Sequence, residues 1–163
     1  MIAEKQETRL ILDDIRSVHN VGSIFRTAEC AGISHIYCCG TTPAPFDRFG
    51  RKRKDFAKVA LGAEDLVGWE SVEGGKIAAL IRRLKKEGFM IVAVEQARRS
   101  VDYRELGKRE KAASKTAFIL GNEVGGVSPE ILKLADVIVE IPLYGEKESL
   151  NVSVAAGIIL FAR

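Results

Sequence analysis

The chain has 163 residues, 47% apolar and 29% charged, with a formal net charge of +3. That length suits one domain around one core, and the balance excludes a disordered or fibrous chain. The mild basic excess permits a nucleic-acid partner without demanding one.

Residues 1–7 contain no apolar signal core. Leu10-Ile11-Leu12 predicts a buried strand. Val21, Ile24, Phe25, Ala28 and Ala31 then recur at helical spacing, with Asn20 placed to cap the helix and Gly32 to end it. Residues 36–39 predict a second strand. The stretch 43–58 holds Pro43, Pro45, Gly50 and the run Arg51-Lys52-Arg53-Lys54, and reads as an exposed loop. It is either a solvated charge run or a phosphate-contacting loop. Its interleaved Phe46, Phe49 and Phe56 either stack on unpaired bases or pin the loop to the body.

Ile77, Leu80, Ile81 and Leu84 predict a basic amphipathic helix stopped by Gly88. Residues 89–94 form a continuous apolar run, the pattern of a strand buried on both faces, and 117–120 form another. Ser128-Pro129 reads as a cap followed by proline at the first helical position. Residues 137–141 predict the last strand. The tail, 149–160, is apolar on nearly every side, which predicts a buried helix. Its first turn nevertheless carries Ser149, Asn151 and Ser153, which need partners. Strands alternating with helices predict a parallel α/β sheet with helices on both faces. No repeat or linker divides residues 1–163, which are read as a single domain.

Cys30, Cys38 and Cys39 are an odd set without Cys-x-x-Cys spacing, and predict reduced, mostly buried thiols. His19 and His35 join no cysteine cluster, so no metal site is expected. No apolar run reaches the roughly 18 residues of a membrane span, and the chain is read as cytoplasmic.

Three segments have the residue types for chemistry. In residues 20–28, Arg26 points away from the apolar stripe, either as a surface arginine or as a guanidinium aimed at phosphate with Asn20 nearby. In residues 120–127, Leu120-Gly121-Asn122-Glu123-Val124-Gly125-Gly126-Val127 follows a strand and precedes a capped helix. Ligands in open α/β sheets bind beyond the carboxyl ends of strands, and glycines there let backbone approach them. The run is neither a Walker loop nor a dinucleotide fingerprint. In residues 141–151, Ile141, Leu143 and Gly145 lead to Ser149, Leu150 and Asn151. Two such loops at neighbouring strand ends would face one pocket. Their backbone could read an adenine edge, Leu150 could pack on the ring, and Ser149 and Asn151 could meet a substrate hydroxyl.

Taken together, residues 20–32, 118–129 and 141–160 closely resemble the three motifs of the SpoU (TrmH-like) branch of the SPOUT RNA methyltransferases. Asp13-Asp14-Ile15-Arg16 and Ala60-Leu61-Gly62-Ala63-Glu64 also look like that family. The match spans essentially the whole chain in the family's order. The resemblance implies an α/β fold with a deep trefoil knot at the C-terminus, an obligate homodimer, and an active site near the subunit contact. It implies methyl transfer from S-adenosylmethionine to a ribose 2′-hydroxyl of tRNA or rRNA.

By that resemblance the catalytic set is Arg26, Asn20, Glu123, Ser149 and Asn151. The cofactor loops fall on Leu120, Gly121, Asn122, Ile141, Leu143, Gly145 and Leu150. Many members carry an additional RNA-binding domain. RNA contacts are therefore expected from the catalytic domain itself, at Arg16, Arg26, Arg51, Lys52, Arg53 and Lys54.

Free arginine has a pKa of roughly 12.5 or above. Arg26 is thus expected to bind the phosphate beside the target ribose and to stabilise the developing alkoxide. The proton leaves through that phosphate, or through Arg26 if its pKa is strongly depressed. Methylation at a base nitrogen, a non-catalytic RNA-binding or assembly module, and a nicotinamide-dependent dehydrogenase are the rival readings.

Overall fold

A computed structural model describes residues 6–107 and 113–163. Seven strands form one sheet: β1 (Glu7–Asp13), β2 (His35–Cys39), β3 (Gly68–Val72), β4 (Met90–Val94), β5 (Val101–Asp102), β6 (Lys115–Leu120) and β7 (Val137–Glu140). Their order is β3-β2-β1-β6-β4-β7-β5. Every pairing between these strands is parallel. Among the described residues the main α-helices are α1 (Val18–Cys30), α2 (Lys54–Ala60), α3 (Ile77–Lys86), α4 (Pro129–Leu132) and α5 (Val152–Phe161).

The strand sequences explain the layering. Side chains alternate between faces along a strand. Leu10, Leu12, Val92 and Phe118 enter one core with Val21, Ile24 and Phe25 of α1, Phe56 of α2 and Ile159 of α5. Ile11, Ile91, Ala93 and Ile119 enter the other with Leu80, Ile81 and Leu84 of α3 and Ile131 of α4. Both faces of the central strands are thus buried, which is why their sequences are apolar throughout rather than alternating.

Several expectations need correction. Helix α1 begins earlier than its apolar stripe suggests. Ser17 is the cap, accepting from the Asn20 N–H at 3.2 Å, so the Asn20 side chain is released from capping. Gly32 does follow the helix, in the left-handed region at φ 71°. The stretch 43–58 is not all loop, because α2 starts at Lys54. Strands β3 and β5 lie outside the predicted elements, since neither carries a long apolar run. The tail helix is shorter than its apolar stretch, and Asn151 is its cap. It buries Ala156, Ile159 and Leu160 but leaves Val154 51% and Phe161 62% exposed. This helix, apolar all round, packs on α1 and is covered on one side only.

Cys38 and Cys39 are buried as expected, whereas Cys30 is exposed on α1. Burial pushes the Cys38 thiol up to about 12 and that of Cys39 higher still. No helix among the described residues is long and apolar enough to cross a membrane.

Candidate functional site

The sheet order sets β6 between β1 and β4, and β4 between β6 and β7. Loops leaving the carboxyl ends of β4, β6 and β7 therefore emerge side by side. Between them lies an open cleft of about 350 Å³. Leu120, Gly121, Asn122 and Glu123 line it from the end of β6. Ile141, Leu143, Ser149 and Leu150 line it from beyond β7.

The β6 loop is held by its own chemistry. Asn122 Oδ1 accepts from the N–H groups of Val124 at 2.9 Å and Gly125 at 3.0 Å, and its Nδ2 donates to the Asp14 carbonyl at 2.7 Å. Gly121 packs so closely on the returning chain that an added Cβ would lie 2.3 Å from the Gly126 carbonyl carbon. Such an approach tolerates glycine alone. Gly126 sits in the left-handed region at φ +64°.

Glu123 joins this loop to α1. It accepts from the backbone N–H groups of Arg16 at 3.2 Å and Ser17 at 3.3 Å, and from Asn20 Nδ2 at 3.1 Å. A carboxylate at a helix start also meets the positive end of its dipole. Burial by itself would raise the Glu123 carboxyl. The N–H groups of Glu123 itself, Arg16 and Ser17 and the Asn20 amide outweigh it, holding the group below the ordinary carboxylate range.

Asn20 continues the chain of bonds. It is buried, 8% exposed, and its Oδ1 accepts from Asn151 Nδ2 at 3.1 Å. Asn151 Oδ1 in turn accepts from Ser153 N at 2.9 Å and Ser153 Oγ at 2.6 Å, capping α5. One hydrogen-bonded line, Glu123 to Asn20 to Asn151, thus links three segments that are remote in sequence. Asn20 and Asn151 stand behind the cleft rather than on its wall, and Gly145 also lies outside the lining.

Arg26 is elsewhere. It is six residues along α1 from Asn20, about 9 Å by helical rise. It is exposed and faces a second, shallow groove with His19, Ser23, Lys58 and Phe161. Among the described residues its guanidinium has no hydrogen-bond or ion-pair partner, and it does not reach the cleft of its own chain.

The basic run is largely neutralised by its own surroundings. Arg51 pairs with Asp47 at 2.8 Å, Lys52 with Asp65 at 2.8 Å and with Glu64 at 3.3 Å, and Arg53 with Asp55 at 2.9 Å. Lys54 opens α2, and Arg16 is exposed beyond β1. The three phenylalanines divide. Phe46 stacks on Trp69 and Phe56 meets Phe25 edge-on, so these two pin the loop. Phe49 is 66% exposed, with Arg48 and Arg51 over its ring at 4.7 and 5.1 Å.

Sequence reasoning missed the end of β4, where Val94, Glu95 and Gln96 complete the cleft, and missed Glu140 and Glu148. The available signal was the polar pair Glu95-Gln96 directly after a continuous apolar strand. With Glu123, the lining holds four glutamates and no Lys, Arg or His. A cavity of that charge suits a cationic ligand. Leu120, Ile141, Leu143 and Leu150 provide apolar surface for a flat ring. Among the described residues no group of His, Cys, Asp or Glu is arranged to hold a metal.

The model of the SpoU rRNA methylase family matches residues 7–161. The chain is 35% identical over 162 residues to a tRNA (guanosine(18)-2′-O)-methyltransferase of Aquifex aeolicus, covering 98% of this chain and 71% of that protein. It is 33% identical over 151 residues to a 23S rRNA (guanosine-2′-O-)-methyltransferase of Neisseria meningitidis serogroup B, covering 93% of this chain and 55% of that one. Among solved structures, an AdoMet-bound rRNA methyltransferase from Sinorhizobium meliloti superposes with a TM-score of 0.84 at 30% identity, over 97% of this chain and 56% of that chain. The chain thus spans little more than half the length of some of these relatives. With the motif segments in order and joined as described, the chain belongs to the SpoU rRNA methylase family.

Proposed function

We propose that the chain is an S-adenosylmethionine-dependent RNA methyltransferase acting on a ribose 2′-hydroxyl of tRNA or rRNA. The observation that carries this reading is the cleft at the ends of β4, β6 and β7, tied to α1 by the Glu123–Asn20–Asn151 line. Its glycine-walled loops, its apolar flank and the carboxylates of Glu140 and Glu148 fit the adenosine and the cationic sulfonium and ammonium groups of that cofactor. Relatives named as guanosine 2′-O-methyltransferases of tRNA and rRNA support the choice of reaction.

When bound, S-adenosylmethionine supplies an electrophilic methyl group on sulfur. The protein's part is positioning, which can supply on the order of 7–11 kcal/mol at best, and stabilisation of charge. Leu120, Leu143 and Leu150 would hold the ring, the backbone at Gly121 and Ile141 would read its edge, and Ser149 would orient the substrate ribose. Glu123, Asn20 and Asn151 keep the two loops registered on α1. Arg26 grips the phosphate beside the target ribose and stabilises the alkoxide as its proton leaves to that phosphate. Phe49 and the basic groups around it, with Arg16, give the RNA a further hold. The same reading makes residues 1–163 one catalytic domain with a knotted tail, and a cytoplasmic location fits RNA substrates and reduced thiols.

A homodimer belongs to this reading. Phe161 on α5 borders the groove that contains Arg26, with Val154 exposed on the same helix, and an apolar surface beside a required cation is what a second copy would cover. The second chain would bring its cleft up to Arg26, which its own cleft does not reach.

The test is to incubate the protein with methyl-labelled S-adenosylmethionine and total tRNA and rRNA, then analyse nucleosides by mass spectrometry. Label in 2′-O-methylribose is the expected result. Label in a methylated base, or none with either RNA, overturns the reading.

A further inference from the structure

Among the described residues, the loops 121–127 and 141–151 share no direct hydrogen bond. Each is tied instead to a third element. On one side that element is Asn20, between Glu123 and Asn151. On the other side it is the end of β4. Glu95 Oε2 accepts from the Val127 N–H at 2.8 Å, and Oε1 accepts from the Gln96 N–H at 2.8 Å. Gln96 Nε2 donates to the Glu148 carbonyl at 3.1 Å. The pair is itself anchored, because the Glu95 N–H donates to the Val139 carbonyl of β7 at 3.0 Å. The approach to the glycine loop is close. A Cβ added to Gly126 would lie 2.1 Å from Glu95 Oε2.

We propose that Glu95 and Gln96 are positioning residues that clasp the two loops at the separation the cofactor requires. This rests on the reading that the cleft takes S-adenosylmethionine. The glutamate suits the task because both of its oxygens accept from backbone N–H groups. A glutamine there would present one acceptor and turn its NH2 against the other amide. Gln96 suits its task because the Glu148 carbonyl needs a donor. The two loops form opposite walls, so losing the clasp changes how well the cofactor fits. It leaves Arg26, on α1, where it was. The loss should therefore fall on cofactor affinity rather than on the rate at saturation.

Full-length Glu95→Gln and Gln96→Leu test this against the wild type. The readouts are amide hydrogen exchange without cofactor, S-adenosylmethionine affinity by calorimetry, and KM against kcat. Glu95→Gln should speed exchange at Val127, and each variant should weaken Kd and raise KM for the cofactor by about tenfold, the loss of one net hydrogen bond. kcat at saturating cofactor should stay within about twofold. Wild-type exchange and affinity in both variants, or a loss confined to kcat, overturns the clasp. A wild-type chain that fails to bind S-adenosylmethionine overturns the cofactor reading instead, and exchange at Val127 then judges the clasp alone.

Discussion

Around the cleft, the groups that hold its loops are paired within the chain. Glu123 accepts three donors, Asn20 bonds on both sides, and Asn122 and Asn151 use both ends of their amides. The outer face of α1 and α5 is the opposite case. Among the described residues Arg26 has no partner there, and Val154 and Phe161 meet solvent. The contrast separates two kinds of site. A cofactor pocket has one shape to keep and can be preorganised by internal bonds. A surface for RNA and a second copy must stay unsatisfied until its partners arrive.

The largest effect expected to sharpen this contrast comes from Arg26→Ala. It should lower turnover by about a hundredfold or more, as loss of a group that stabilises transition-state charge does. Affinity for S-adenosylmethionine should be unchanged, because Arg26 does not line the cleft. Near-normal turnover by this variant would break the assignment.

Asn20→Ala acts on the internally bonded region. It removes the bonds to Glu123 and Asn151 together and leaves a carboxylate short of a donor. Stability should fall by about 2–3 kcal/mol in denaturant titration, with weaker cofactor binding alongside. An unchanged midpoint would show that the line is not what joins the loops to α1.

Phe161→Glu acts on the open face. Sedimentation should show the assembly shifting to monomer while the cofactor still binds. A dimer that persists at wild-type affinity would place the contact elsewhere.

The smallest effect concerns Asp13, at the end of β1. Burial, with the charge of Asp14 added, pushes its carboxyl from 3.8 up to about 6. A carboxyl raised in the folded state favours folding when protonated, so its contribution is lost as pH rises from about 4 to about 6. Asp13→Asn should therefore be the more stable chain at pH 7, by about 1 kcal/mol after allowing for partial exposure, and the advantage should vanish near pH 4. Equal stability of the two at pH 7 would contradict this.

What was legible in the sequence followed from burial. Continuous apolar runs marked β1, β4 and β6 because both of their faces are covered. The glycines of 121–126 marked a loop where backbone approaches backbone. β3 escaped notice because Gly68–Val72 is an edge strand with little buried surface. Asn20 is not the cap that its position suggests, since Ser17 three residues earlier supplies the same capping chemistry. The Glu95-Gln96 pair shows in the sequence only as polar residues after an apolar strand, because its partners are backbone atoms of distant loops, which no residue type advertises. The exposure of α5 is illegible for another reason, since an apolar helix does not say whether its own chain or a second copy covers it.

Subunit mixing tests most directly whether the chemistry is divided between a cleft complete in one chain and an arginine that serves another. Arg26→Ala keeps the cleft, and Leu150→Glu blocks it while keeping Arg26. Each alone should be inactive. Mixed in equal amounts and allowed to exchange, they should recover about a quarter of wild-type activity, since half of the dimers would carry one complete site out of two. No recovery from a mixture shown to contain heterodimers would mean that Arg26 does not act across the interface, and the account would fail at its centre.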